Sequence, residues 1–184
     1  MVAVDVDLQP LVREARAGDP GAWDRLFRRY QLPLYTYAHE CVRNEQLSLD
    51  IVQETFISAC RHLATLRDDA RFGSWLFGIA HQKCLQHWRR QGRERLFGAE
   101  ELPEDLAGDE ADPSEILVRQ EQAEEFLRRL EHLPPPQRSV LLLHFLEDFS
   151  IDEIATIAGV PPGTVKSRLH HAKRALRRHL EETT

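Results

Sequence analysis

The stretch from Ser150 to Pro162 limits the fold of this chain more than any other. Ser150-Ile151-Asp152-Glu153 forms a capping box, in which the serine hydroxyl accepts from the Glu153 N–H and the Glu153 carboxylate reaches back to the serine N–H. It opens a short helix with Ile154, Ala155 and Ala158 on its apolar side. Gly159 can take the positive φ that the following turn requires. Pro161 and Pro162 then start a second helix, with Pro162 suited to its first position because the N–H it lacks would have no helical partner there. Two short helices joined by a tight glycine-containing turn form a helix-turn-helix.

The second helix can be read by angle. At roughly 100° per residue, Val165, Leu169, Ala172, Leu176 and Leu180 gather on one side. Ser167, His170, His171, Arg174 and Arg178 fall on the other, with Lys166, Lys173 and Arg177 on its flank, and no acidic residue lies between Lys166 and Arg178. A solvated basic helix could look like this, but the capped helix and glycine turn before it favour a recognition helix in a major groove. Lysine and arginine would then mainly hold phosphates, and residues near the helix start would reach base edges.

Charge divides the rest of the chain. Residues 1–92 carry 12 Lys+Arg against 11 Asp+Glu, residues 93–133 carry 5 against 13, and residues 134–184 carry 7 against 6. Two near-neutral blocks flanking an acidic one suggest two folded units and a tether. The span from Gly98 to Asp112, acidic and broken by Pro103 and Gly108, has little apolar surface to bury. Almost nothing alternates with period two, so strands are not expected. The predicted fold class is all-α: two small helical domains joined by an acidic flexible linker, with the helix-turn-helix in the C-terminal one. The boundaries are 1–95, 96–113 and 114–184.

Helical signals recur along the first block. Asp19 can cap a helix with Pro20 at its first position and Ala22, Trp23, Leu26, Phe27 and Tyr30 on its apolar face. Pro33 should kink or restart it before Leu34, Tyr37, Ala38, Cys41 and Val42. Ser48 is expected to begin the next helix, carrying Ile51, Val52, Thr55, Phe56 and Ala59. A loop near Leu66–Ala70 leads to a helix over about Phe72–Gln91, with Trp75, Leu76, Ile79 and Ala80 inward. After the linker, Asp112-Pro113-Ser114-Glu115 caps a helix that stops before Pro134-Pro135-Pro136.

Several function classes are set aside. No run approaches the roughly 18 apolar residues of a membrane span, and the segment Met1–Pro10 lacks a signal peptide's basic start and apolar core, so a cytoplasmic protein without membrane insertion is expected. Cys41, Cys60 and Cys84 are too few and scattered for a disulfide framework and read as reduced, mostly buried thiols. His81, Cys84 and His87 step by threes and drift off one helix face, so they do not read as a zinc site. No phosphate-binding glycine loop, paired metal motif or nucleophile elbow is present. Neither an enzyme nor a bound cofactor or metal is expected.

The wider motifs narrow the reading further. Leu133-Pro134, Gln137-Arg138, Asp152-Glu153-Ile154-Ala155 and Gly163-Thr164-Val165-Lys166-Ser167-Arg168-Leu169 closely resemble region 4 of the extracytoplasmic-function (ECF) sigma factors of bacterial RNA polymerase. Asp50-Ile51-Val52-Gln53-Glu54-Thr55-Phe56 and Trp75-Leu76-Phe77-Gly78-Ile79-Ala80 resemble that family's region 2, as does Ala17-Gly18-Asp19 with Trp23 and Tyr30 after it. The resemblance covers nearly the whole chain, with two motif sets in the right order.

That resemblance implies a division of labour. The first domain would dock on core RNA polymerase through Asp50, Gln53 and Glu54. The loop His62–Arg71 and the helix Phe72–Arg90 would melt and capture the minus-10 element, using Leu66, Gln82, Gln86, Arg89 and Arg90. Trp75, Trp88, Arg93 and Arg95 also offer stacking surfaces or cations, although Trp75 lies on the inward stripe and reads as core. The last domain would read duplex minus-35 DNA through Lys166, Ser167, Arg168, His170, His171, Arg174 and Arg178. An anti-sigma protein is a further partner that the resemblance implies. Two departures bear on promoter sequence: Gln82 and Gln86 stand where the family commonly has Asn and Asp, and His170-His171 are adjacent where the second position is often basic. A stand-alone helix-turn-helix regulator is the other reading, and the region 2 motifs argue against it.

Overall fold

The computed structural model describes residues 8–90, Leu130 and residues 132–181, and among these it contains helices and turns but no strand. Helix α1 spans Gln9–Arg16, α2 Pro20–Val42, α3 Glu45–His62 and α4 Phe72–Arg90. In the C-terminal part, α5 spans Pro135–Glu147, α6 Ile151–Ala158 and α7 Pro162–Glu181. The expected linker, the helix expected after Asp112, and Arg93 and Arg95 lie outside the described residues.

The helix starts follow from local chemistry. The Asp19 carboxylate accepts from the Gly21 N–H at 2.9 Å, with Pro20 in the first position. Helix α3 begins at Glu45 rather than at Ser48, because the Asn44 side chain accepts from the Leu47 N–H at 2.9 Å. Ser48 is buried in the first turn, its hydroxyl donating to the Asn44 carbonyl at 2.6 Å. Helix α2 is not restarted at Pro33. Tyr30, Leu34 and Tyr37 on either side are buried on one stripe, and their packing outweighs the backbone hydrogen bond that proline removes.

The helix-turn-helix forms as its residues require. The Ser150 hydroxyl accepts from the Glu153 N–H at 3.3 Å, and the Ser150 N–H donates to the Glu153 carboxylate at 3.0 Å. Gly159 closes α6 at φ 67, and α7 starts at Pro162. A Cβ on Gly159 would meet nothing within 4 Å, so the cost of Gly159→Ala is conformational alone. It is expected to lower stability by about 1 kcal/mol, read as a shift in urea midpoint at unchanged slope.

The two helical parts pack on each other, α2 against α5 and α4 against α6, over one continuous core. Arg138 on α5 is buried, donating from Nη1 to the Glu40 carbonyl of α2 at 2.7 Å and from Nη2 to the Leu133 carbonyl at 2.9 Å. Phe149 meets Phe77 edge-on with ring centres 5.3 Å apart. Gly73 permits that approach: a Cβ there would lie 2.9 Å from the Tyr30 hydroxyl and 3.5 Å from the Phe149 ring. Arg29 and Glu147 pair at 3.2 and 3.3 Å across the same boundary. Burial of Glu147 raises its carboxyl's pKa even though Arg29 works the other way.

Candidate nucleic-acid interface

On α7, Val165, Leu169, Ala172 and Leu176 are buried against α5 and α6. That rotation leaves Lys166, His170, Arg174 and Arg178 exposed on the outer face, with Ser167 and His171 half-buried beside them. The His170 and His171 rings stand edge-on, centres 5.6 Å apart.

Arg168 departs from the expected set. It is only 4 % exposed, turned away from Lys166 and His170 and close enough to His81 of α4 to depress that histidine's pKa. In this arrangement Arg168 cannot meet DNA.

Helix α4 presents its two faces differently. Phe72, Leu76, Phe77, Ala80, His81, Cys84 and Trp88 are buried, whereas Gln82 and Gln86 are exposed four residues apart on one face. Arg89 and Arg90 are exposed at its C-terminal end. Trp75 is half-buried with its ring 5.9 Å from that of Phe72, and Trp88 is buried, so neither offers an open stacking platform here. Ile79, expected inward, is half-buried.

His81 lies in a buried polar knot. The Tyr37 hydroxyl is 2.6 Å from His81 Nδ1, an arrangement that suits a neutral ring accepting the phenol proton. Burial, and then the charge of Arg168, push the His81 pKa down to about 4. Burial likewise pushes Tyr37 well up, with Cys41 and Cys84 beside it. The Cys84 thiol is raised by its hydrogen bond with Cys41 and by burial. Cys60, in contrast, is exposed.

Before α4, the loop is built from two short 3₁₀ turns, Leu63–Thr65 and Asp69–Arg71. Leu66 between them is half-buried and extended (φ −70, ψ 115), and the Asp68 carboxylate caps the Ala70 N–H at 3.1 Å.

Away from these faces, α2 and α3 enclose an apolar groove of about 850 Å³. Its walls include Phe27, Leu32, Leu49 and Ile57, which are 40 %, 68 %, 48 % and 43 % exposed. Gln53 lines it. Asp50 and Glu54 are exposed but engaged on α3's flanks, Asp50 accepting from Gln46 at 3.3 Å and Glu54 pairing with Lys83 at 3.0 Å. Gln53 is a residue expected in docking, whereas Leu32, Leu49 and Ile57 beside it are not among the expected site residues. Their signal is apolar side chains set off the inward stripe of each helix, and Phe27, expected on that stripe, is exposed with them.

Comparisons with known proteins agree with this anatomy. The family model described as sigma-70 region 2 matches residues 26–94, and that described as sigma-70 region 4 matches residues 123–176. The RNA polymerase sigma-H factor of Pseudomonas aeruginosa is 32 % identical over 94 % of this chain and 93 % of its own length. The ECF RNA polymerase sigma-E factor of Escherichia coli K12 is 32 % identical over 91 % of each chain. Among solved structures, CnrH in complex with the cytosolic domain of CnrY superimposes with a TM-score of 0.66 at 23 % identity, covering 96 % of this chain and 98 % of that one. RpoE of Bartonella quintana, solved with the anti-sigma factor NepR, gives 0.62 at 22 % identity, covering 85 % and 97 %. The fold and the two matched regions define a sigma-70-type protein. More narrowly, this chain belongs to the ECF sigma factors of bacterial RNA polymerase.

Proposed function

We propose that this chain binds core RNA polymerase and directs it to promoters by reading a minus-10 and a minus-35 element. The observation that carries the reading is the presence in one chain of two unlike surfaces. One is the basic outer face of α7, with Lys166, His170, Arg174 and Arg178. The other is the exposed apolar groove between α2 and α3. The second suits a chain that must also bind a large protein partner, and the match of residues 26–94 to sigma-70 region 2 favours polymerase over the dimer mate of a stand-alone regulator. On this reading the polymerase does the chemistry, in the cytoplasm, and this chain is not an enzyme. No described helix is long and apolar enough to cross a membrane.

The roles divide by element. Residues 1–95 form the docking and minus-10 domain and 114–184 the minus-35 domain, with 96–113 as tether. The groove, with Gln53 on its wall and Asp50 and Glu54 beside it, receives the polymerase. Leu66, Gln82, Gln86, Arg89 and Arg90 serve the minus-10 element. Lys166, Arg174 and Arg178 hold phosphates while Ser167, His170 and His171 face the bases, and Arg168 can join them only in an arrangement that exposes it. The structural likeness to the sigma factor RpoE of Bartonella quintana, solved with the anti-sigma factor NepR, supports an anti-sigma protein as a further partner.

Promoter selection from a randomised library, using the chain reconstituted with core polymerase, tests the assignment. Stoichiometric holoenzyme and enrichment of two spaced elements are expected. Gln presents a donor and an acceptor where ionised Asp only accepts, so Gln82→Asn with Gln86→Asp should change the selected minus-10 bases and leave the minus-35 element alone. An unchanged minus-10 element would remove both glutamines from the reading set. Failure to bind core would return the chain to the stand-alone regulators.

A further inference from the structure

The last turn of α1 carries Arg13 and Arg16, and α1 is fixed on the fold independently of them. Leu11, Val12 and Ala15 are buried, and Trp23 Nε1 on α2 donates to the Ala15 carbonyl at 3.1 Å. From this anchored end, Arg16 reaches the loop that precedes α4. Its Nη2 donates to the Leu66 carbonyl at 3.1 Å and to Asp69 Oδ1 at 2.5 Å. Arg13 Nε lies 3.7 Å from the other Asp69 oxygen. The Asp69 side chain is only 15 % exposed and that of Arg16 33 %, so this contact is better sheltered than an ordinary surface pair.

One guanidinium thus holds a main-chain carbonyl and a carboxylate three residues apart. Those two contacts fix both ends of the segment Leu66–Asp69 against a rigid helix. Both acceptors are served by the two hydrogens of one terminal nitrogen, Nη2, so a lysine ammonium could replace part of the contact, though on a shorter and less preorganised side chain. An ion pair at a surface adds little to global stability. Its consequence here is geometric: the segment is held in one shape before any ligand arrives, so binding need not spend free energy ordering it.

We propose that Arg16 is a positioning residue for promoter opening, acting through the Leu66 carbonyl and Asp69 to hold the loop in the shape that receives an unpaired minus-10 base. The inference rests on the proposed reading of the loop 62–71 as part of the minus-10 site. Arg16 itself touches no DNA in this role.

The test uses the full chain with core polymerase and, as probe, a single-stranded oligonucleotide carrying the selected minus-10 element, alongside permanganate footprinting of the duplex promoter. Arg16→Ala is expected to weaken capture of the unpaired strand and open-complex formation about tenfold. Melting temperature, core affinity and duplex minus-35 binding should be unchanged. Arg16→Lys should recover part of the loss, and Asp69→Ala should reproduce most of it although it removes a negative charge. Normal capture by Asp69→Ala, with Arg16→Ala weakened and its salt dependence flattened, would mean that Arg16 contacts phosphate directly and would overturn the proposal. A loss that follows a falling melting temperature in every variant would overturn it too, since α1 would then be only a structural brace. If the unsubstituted holoenzyme captures no minus-10 strand, the reading of the loop itself fails, which is a separate result from a failure of Arg16 alone.

Discussion

Leu32→Asp or Leu49→Asp should weaken binding to core RNA polymerase at least thirtyfold while leaving the fold intact. Leu32 stands on α2 and Leu49 on α3, on facing walls of the groove, and they are 68 % and 48 % exposed. A charge placed there in the free chain stays in water, so stability should change by no more than about 0.5 kcal/mol. In the complex the same carboxylate would be enclosed by an apolar partner without a counter-ion. Centrally placed interface residues of this kind cost about 2 kcal/mol or more when disrupted, which is roughly thirtyfold in affinity. Lys166→Ala serves as the converse control, leaving core binding alone and weakening duplex DNA binding with a shallower salt dependence. Core affinity measured by fluorescence anisotropy separates the outcomes. Full binding by both aspartate variants would show that the groove is not the docking surface.

What the sequence made legible was decided mostly by range. The helix-turn-helix depends on Ser150, Glu153, Gly159 and Pro162, each acting on neighbours within a few residues, and all four do what their chemistry predicts. Ser48 is the expected start of α3, but the cap that forms is Asn44, four residues earlier. The Asn44 side chain closes on Leu47, which leaves Ser48 inside the helix. At Pro33 the local rule gave way to burial of Tyr30, Leu34 and Tyr37, a tertiary effect.

Arg168 shows the limit more sharply. By angle it lies roughly 60° from Val165 and 40° from Ala172, at the edge of the buried stripe, so a stricter count would have separated it from Lys166 and His170. The group its charge acts on, His81 of α4, comes from far earlier in the chain, and no local pattern carries that proximity. The groove was hidden for a related reason. Leu32, Leu49 and Ile57 look like stray surface residues until α2 and α3 bring them together. The clamp of Arg16 on Leu66 and Asp69 spans about fifty residues and leaves no periodic trace.

Acidification provides the second large effect, and it runs through one side chain. His81 has its pKa pushed down to about 4 from an ordinary 6.5 by burial first and by the charge of Arg168 second. The unfolded chain therefore takes up this proton near pH 6.5, whereas the folded chain resists it until about pH 4. Between those values the unfolded state binds more protons, so stability rises with pH there and is lost as pH falls. The His81 contribution is fully present above about pH 6.5. By pH 4 it should have cost about 3 kcal/mol, at 1.36 kcal/mol for each unit of displacement. Tyr37 and Cys84, whose pKa values are raised, stay neutral through this range, and the charge of Arg168 is positive. Carboxylates titrate in the same window, so the measurement is a difference: urea unfolding from pH 7 to pH 4 for the native chain and for His81→Gln, whose amide oxygen can still accept from Tyr37. The native chain should lose about 3 kcal/mol more than the variant over that span. Parallel curves would mean that His81 takes its proton without opposition. Arg168→Met should remove only the smaller, electrostatic share of the difference, since burial is the larger cause. If it removed nearly all, the charge of Arg168, rather than the burial of His81, would be what sets the acid response.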